Sequence, residues 1–259
     1  MPISTTYTSH ELNAHKGELA IYGQIFLPAA ADETRPLPTL VCAHGFGANY
    51  LQTVNYAWAM AEAGWAAVCF DFCGGGYAAR SEGNPLEMTL ETEKDDLAAV
   101  IDHVSKLPYV DEDDLHVLGD GQGAVVATLL AHERPDDIKS LFLIHPNYCL
   151  AEQTRKLFPT KKNIPASYRH LGMRVGRTFG EVIWDLNPYA IMHNYKNDVL
   201  IITGSDDTSV PLDSLRRAEE AFPQAQLMLI NGARQTIRGP QLEQAIGTCV
   251  DFLTHEAAF

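Results

Sequence analysis

In the stretch HVLGDGQGAVVATLLA, His116 to Ala131, a short apolar run enters a turn with glycine at 119, 121 and 123 and leaves it as an alanine-rich apolar run. A strand that passes within one tight turn into a helix is the unit of a parallel sheet, because the helix must carry the chain back before the next strand can lie beside the first. The rest of the chain repeats that rhythm. Apolar runs of strand length occur at Leu19–Pro28, Thr39–His44, Ala66–Phe72, Leu115–Leu118, Leu141–Ile144, Val199–Thr203 and Gln226–Ile230. Between them lie helical patterns: NYAWAMAEAG, stopped by Gly64; TLETEKDDLAAVIDHVSKL, with acids in its first turns and Lys106 near its end as the helix dipole prefers; and Gln122–Glu133. A last helix is expected over Gln241–Thr254. Right-handed crossovers then give an α/β, doubly wound and mostly parallel sheet, with ligands expected at the carboxyl ends of its strands.

Composition narrows the partners. A chain of 259 residues that is 46% hydrophobic can bury a sizeable core in one large domain. A net charge of −14 argues against nucleic acid and against anionic membrane surfaces. No apolar run approaches the roughly 20 residues that cross a bilayer. The polar start MPISTTYTSHELNAHKG lacks the basic and apolar regions of an export signal, so a cytoplasmic location is expected. Five cysteines at irregular spacing fit reduced thiols better than a disulfide framework, and Cys42, Cys69 and Cys249 sit inside apolar runs. The histidines are scattered and there is no H-E-x-x-H or C-x-x-C, so neither a metal nor a cofactor is expected.

One segment breaks the rhythm. The 54 residues from His145 to Asp198 exceed what a crossover helix needs and read as a helical cap inserted between core segments 1–144 and 199–259. This segment is locally basic (Arg155, Lys156, Lys161, Lys162, Arg169, Arg174, Arg177) and carries the aromatics Phe158, Tyr168, Phe179 and Trp184. A solvated face with inward-packed rings accounts for it; a lid favouring anionic, aromatic ligands is the functional alternative.

Five motifs then carry a resemblance: HGFGAN at 44–49, FDFCGGGYAARSEG at 70–83, GDGQGA at 119–124, GSDDTSVP at 204–211 and NGARQTIRG at 231–239. On these the chain resembles the α/β-hydrolase fold, and more closely its bacterial feruloyl (cinnamoyl) esterase-like branch, over nearly everything after about residue 18. The resemblance implies backbone oxyanion donors at Phe46 and Gln122, a catalytic acid at Asp207, and a small carboxylate or aromatic ester as ligand. Two positions depart from it. The serine of the G-x-S-x-G turn is Gly121, and the histidine of the family's G-x-x-H is Gln235.

Glycine has no group to attack with, and an amide is no base near neutral pH. Glycine does take the positive φ of that turn without a Cβ clash, so the turn can outlive the nucleophile. The expectation is therefore a non-catalytic pseudo-esterase that keeps a ligand pocket, with Asp207 held by Gln235 or Arg234. Two alternatives stand beside it. One is an ester hydrolase with displaced chemistry, in which His145 activates water or Cys73 attacks. The other is a structural or partner-binding protein, and a homodimer is compatible with the sequence. An acid such as Asp120 beside the turn is common in the resembled family and implies no separate role, and His44, part of the His-Gly oxyanion loop, is expected to brace that loop.

Overall fold

The computed structural model describes residues 6–32 and 35–254. The first five residues of the polar start lie outside it. Strands β1 (Tyr7–Lys16), β2 (Leu19–Pro28), β3 (Leu37–Ala43), β4 (Ala66–Phe70), β5 (Val110–Asp120) and β6 (Ser140–Ile144) alternate with helices α1 (Val54–Glu62), α2 (Leu90–Val104) and α3 (Gln122–Glu133). The long segment that follows holds α4 (Leu150–Leu157), strands β7 (Ser167–His170) and β8 (Met173–Gly176), α5 (Arg177–Asp185) and α6 (Tyr189–Met192). The chain then returns to β9 (Asp198–Gly204), α7 (Leu212–Ala221), β10 (Ala225–Ile230) and α8 (Pro240–Thr254).

Eight strands form one sheet in the order β1-β2-β4-β3-β5-β6-β9-β10. The pairs β1–β2 and β2–β4 are antiparallel and all others parallel. The doubly wound sheet expected from the alternation is present. It gains β1, an edge strand whose only buried residues are Leu12 and Ala14. Strands β3 and β4 are buried on both faces, as covered parallel strands must be. Helices α1 and α8 close one face around Tyr56, Met60, Ala245 and Cys249, while α2, α3 and α7 close the other around Leu97, Val100, Val125 and Leu215. None of the described helices is long and apolar enough to cross a membrane.

Helix α2 begins on a reciprocal cap, the Thr89 hydroxyl accepting from the Thr92 N–H while the Thr92 hydroxyl accepts from the Thr89 N–H. Its first turn carries Glu91 and Glu93, which suits the helix N-terminus. The 145–198 segment is not wholly helical: a two-stranded hairpin, β7–β8, sits between its helices.

The turn from β5 into α3 is fixed by close backbone approach. An added Cβ at Gly123 would lie 2.4 Å from the Ala43 carbonyl oxygen and 2.5 Å from that of His44. Gly123→Ala is expected to destabilise the fold by about 1–3 kcal/mol through overpacking against backbone that cannot move aside. Gly247, exposed in α8 with nothing within 4 Å of a Cβ, is the control. Gly247→Ala should stabilise by about 0.5–1 kcal/mol through helix propensity. Thermal unfolding of the two variants reads both signs.

Candidate active site

Gly121 sits at the apex of the β5–α3 turn with φ 56° and ψ −109°, a left-handed conformation that costs a side-chain-bearing residue about 1–3 kcal/mol. An added Cβ would meet only Gly45 Cα at 3.8 Å, so the space for a side chain has not been filled. Gln122 opens α3, where a backbone N–H has no carbonyl one turn earlier to bond. Its side chain turns inward and donates from Nε2 to Glu93 Oε2 at 2.6 Å.

The facing loop after β3 is equally committed. Gly45 N–H donates to Gln52 Oε1 (2.8 Å), Gly47 N–H to the Gly75 carbonyl (3.1 Å) and Ala48 N–H to the Gly45 carbonyl (3.1 Å). Among the described residues no hydrogen bond takes the Phe46 N–H. His44 braces this loop: its Nε2 accepts from the Phe72 N–H at 3.1 Å and its Nδ1 lies 2.8 Å from the Gly45 carbonyl.

Asp207 is not held by Gln235 or Arg234. Gln235 Oε1 instead accepts from the Ser209 hydroxyl at 2.9 Å. The partner of Asp207 is His145, whose Nδ1 lies 3.0 Å from Asp207 Oδ2 and 2.9 Å from Thr203 Oγ1. Both side chains of the pair are buried, at 3% and 1% exposure. Thr203 Oγ1 itself donates to Asp207 Oδ2 (3.5 Å), and the other carboxylate oxygen accepts from the Ser209 N–H (2.7 Å). Both neighbours of Nδ1 therefore act as acceptors, which puts the imidazole proton on Nδ1 and leaves a lone pair on Nε2. That Nε2 is buried and has no hydrogen-bond partner. His145 also stands at φ 46°, a left-handed conformation rare for a residue with a side chain. The strand order brings the pair together: β6 lies between β5 and β9, so the residue following β6 reaches the turns after both neighbours.

A cavity of about 480 Å³ opens at these strand ends. Gly45, Phe46, Gly121 and Gln122 form one side, with His145, Gln235 and Arg238 around them. His170, at the end of β7, also lines it and packs edge-to-face on Phe46 with ring centroids 4.7 Å apart. Its Nε2 is also buried without a partner. Asp120 lines the same cavity, and burial pushes its carboxyl up to about 7 against an opposing hydrogen bond from Gln52.

Cys73 is not among the lining residues. Its N–H donates to Asp96 Oδ2 (2.8 Å), and burial, with the Asp96 charge adding to it, pushes the thiol up to about 12. A thiol so held is a poor nucleophile near neutral pH. None of the eight lysines and arginines of the 145–198 segment lines the cavity either. Several instead hold the segment together: Arg177 on Glu181 and the Ile164 and Lys161 carbonyls, Arg155 on the Trp184 carbonyl, Arg169 on the Gly172 carbonyl.

Burial lowers the His145 pKa from the ordinary histidine value, and Asp207 pulls the other way. The neutral imidazole is thus the form the fold prefers. Its contribution to stability is complete above about 6.5 and is lost as pH falls from there through the folded value. An NMR titration of the His145 ring should show a midpoint below 6.5 in the native protein, and a lower one still in Asp207→Asn, where the stabilising charge is gone.

The family described as Serine aminopeptidase, S33 (Hydrolase_4) matches residues 34–228. Among solved structures, Est1E from Butyrivibrio proteoclasticus with ferulic acid bound superimposes with a TM-score of 0.84 at 22% identity, covering 96% of this chain and 100% of that one. The mouse Alpha/beta hydrolase domain-containing protein 10 does so with a TM-score of 0.75 at 17% identity, covering 96% of this chain and all of the other. At these identities the likeness is one of fold. The Escherichia coli protein YcjY, itself uncharacterized, is 31% identical over 116 residues, which make up 43% of this chain and only 36% of YcjY. With three quarters of its length inside the family's match and its sheet, turn and strand-end cavity in the family's arrangement, the chain belongs to the serine aminopeptidase S33 family of α/β hydrolases.

Proposed function

We propose that the protein is a carboxylic-ester hydrolase that activates water directly, with His145 as general base and Asp207 as its orienting carboxylate. The observation that carries this reading is the unpartnered Nε2 of a buried imidazole whose Nδ1 is tied to Asp207, in the same cavity as the unfilled apex at Gly121. In the resemblance stated above, Asp207 orients a histidine from the turn after the last strand; here the imidazole reaches it from the end of β6 instead.

The steps balance without a covalent intermediate. His145 Nε2 takes a proton from a water molecule as its oxygen adds to the ester carbonyl carbon. The oxyanion that forms is stabilised by the backbone N–H groups of Phe46 and Gln122, the latter at the start of α3 where the helix dipole adds its field. Collapse breaks the carbon–oxygen bond to the alcohol, and the protonated His145 gives its proton to the departing oxygen. The products are a carboxylic acid and an alcohol, and His145 is neutral again. Esters suit this site better than amides, because an alcohol leaves more readily than an amine when only a base-assisted water drives the attack.

The ferulic acid bound to Est1E makes hydroxycinnamate esters natural first substrates, alongside short acyl esters. A second reading is favoured by Gly121 and by the Gln235–Ser209 bond: the cavity binds such a ligand without turning it over. His145→Ala separates the two. General-base assistance contributes about 10²–10⁴-fold, so kcat/KM for methyl ferulate or p-nitrophenyl butyrate should fall by that factor while the fold persists. The rate of the native protein should rise with pH through a midpoint below 6.5 and then level off, following the neutral imidazole. Binding of ferulic acid with no turnover above the His145→Ala background would instead establish the second reading.

A further inference from the structure

We infer that Glu93, one helical turn into α2 and outside the cavity, is a positioning residue that holds the two backbone oxyanion donors in register. The proposal rests on the functional reading above for its use of those donors, but the geometry stands by itself. Glu93 is 1% exposed, and its Oε2 accepts from Gln122 Nε2 at 2.6 Å, fixing the residue whose N–H opens α3. Its Oε1 faces Gly75 so closely that a Cβ there would lie 3.0 Å away. The Gly75 carbonyl in turn accepts from the Gly47 N–H at 3.1 Å, and Gly47 pairs with Gly76 beside it. A single carboxyl therefore touches Gln122 on one side and the support of the Phe46 loop on the other.

Glycine at 76 makes this junction possible, since a Cβ there would meet the Ala48 carbonyl oxygen at 1.6 Å. Burial lifts the Glu93 carboxyl to about 8 against the opposing hydrogen bond from Gln122. The charged groups facing it are Asp96 on the same helix and Lys16 of β1, which are ion-paired with each other. Near neutral pH Glu93 is thus mainly the uncharged acid, for which glutamine is a close mimic.

The test compares Glu93→Leu, which deletes the acceptor, with Glu93→Gln, which keeps one, and uses Gln122→Met to cut the same bond from its other end in case Glu93→Leu does not fold. Two readouts are taken: ester hydrolysis, and binding of the monoethyl ester of butylphosphonic acid, a tetrahedral anion, followed through the Gln122 and Phe46 amide resonances. Losing one oxyanion donor elsewhere costs about 10²–10³ in kcat. A displaced donor should cost about tenfold or more, so Glu93→Leu and Gln122→Met should lose that in kcat with KM within about twofold, and Glu93→Gln should restore it. The same two variants should weaken phosphonate binding about tenfold; Glu93→Leu should shift both amide resonances, and Gln122→Met that of Phe46. If the native protein hydrolyses no ester, the functional reading fails while the amide shifts and phosphonate affinity still decide the positioning role. Unchanged Gln122 and Phe46 amide resonances in a folded Glu93→Leu protein, or an unchanged Phe46 amide resonance in a folded Gln122→Met protein, would overturn it.

Discussion

The site depends on backbone packed directly on backbone where β5 turns into α3. Gly119 and Gly123 lie against the Ala124 backbone and against the Ala43 and His44 carbonyls at distances that admit no side chain. That contact draws the start of α3 to the end of β3, and so brings the Gln122 and Phe46 amides to the same cavity. Everything chemical in the cavity is arranged around that junction. It requires glycines at 119 and 123 for space and a left-handed conformation at 121, but it requires no nucleophile.

The imidazole–carboxylate pair follows from strand order. Asp207 leaves β9 and His145 leaves β6, and the two strands are neighbours, so the two residues meet although 62 positions separate them. A carboxylate at 1% exposure needs a partner, since burying an unpaired charge is costly. Thr203, the Ser209 N–H and His145 together supply it. The left-handed backbone at His145 shows that the surrounding structure holds the ring there against a local preference. Its Nε2 is buried with nothing in the protein to satisfy it, on a residue that lines the cavity.

Much of this was legible in the sequence, and the remainder failed for identifiable reasons. The strand–helix alternation, the turn at Gly121 and the placement of Phe46, Gln122 and Asp207 are local or motif-borne, so residue order conveys them. Strand β1 was not legible because an edge strand with only Leu12 and Ala14 buried has almost no apolar alternation. The β7–β8 hairpin was hidden in a polar segment where four-residue strands leave no period to read. The tie of Asp207 to His145, rather than to Gln235 or Arg234, depends on β6 and β9 being neighbours, which no residue pattern states. His145 at a strand end was the available signal. His170 had none, since only the fold of the hairpin brings it onto Phe46. Cys73 read as available because it follows a strand end, but the chain turns its thiol toward Asp96.

Direct attack by water is the central claim, and a single-turnover hydrolysis of methyl ferulate in ¹⁸O-water tests it most directly, with intact-protein mass spectrometry of the quenched reaction. The account predicts one labelled oxygen in the ferulic acid released and no mass added to the protein at any time during turnover. An acyl adduct on the protein, or no release of acid above the His145→Ala background, would contradict it.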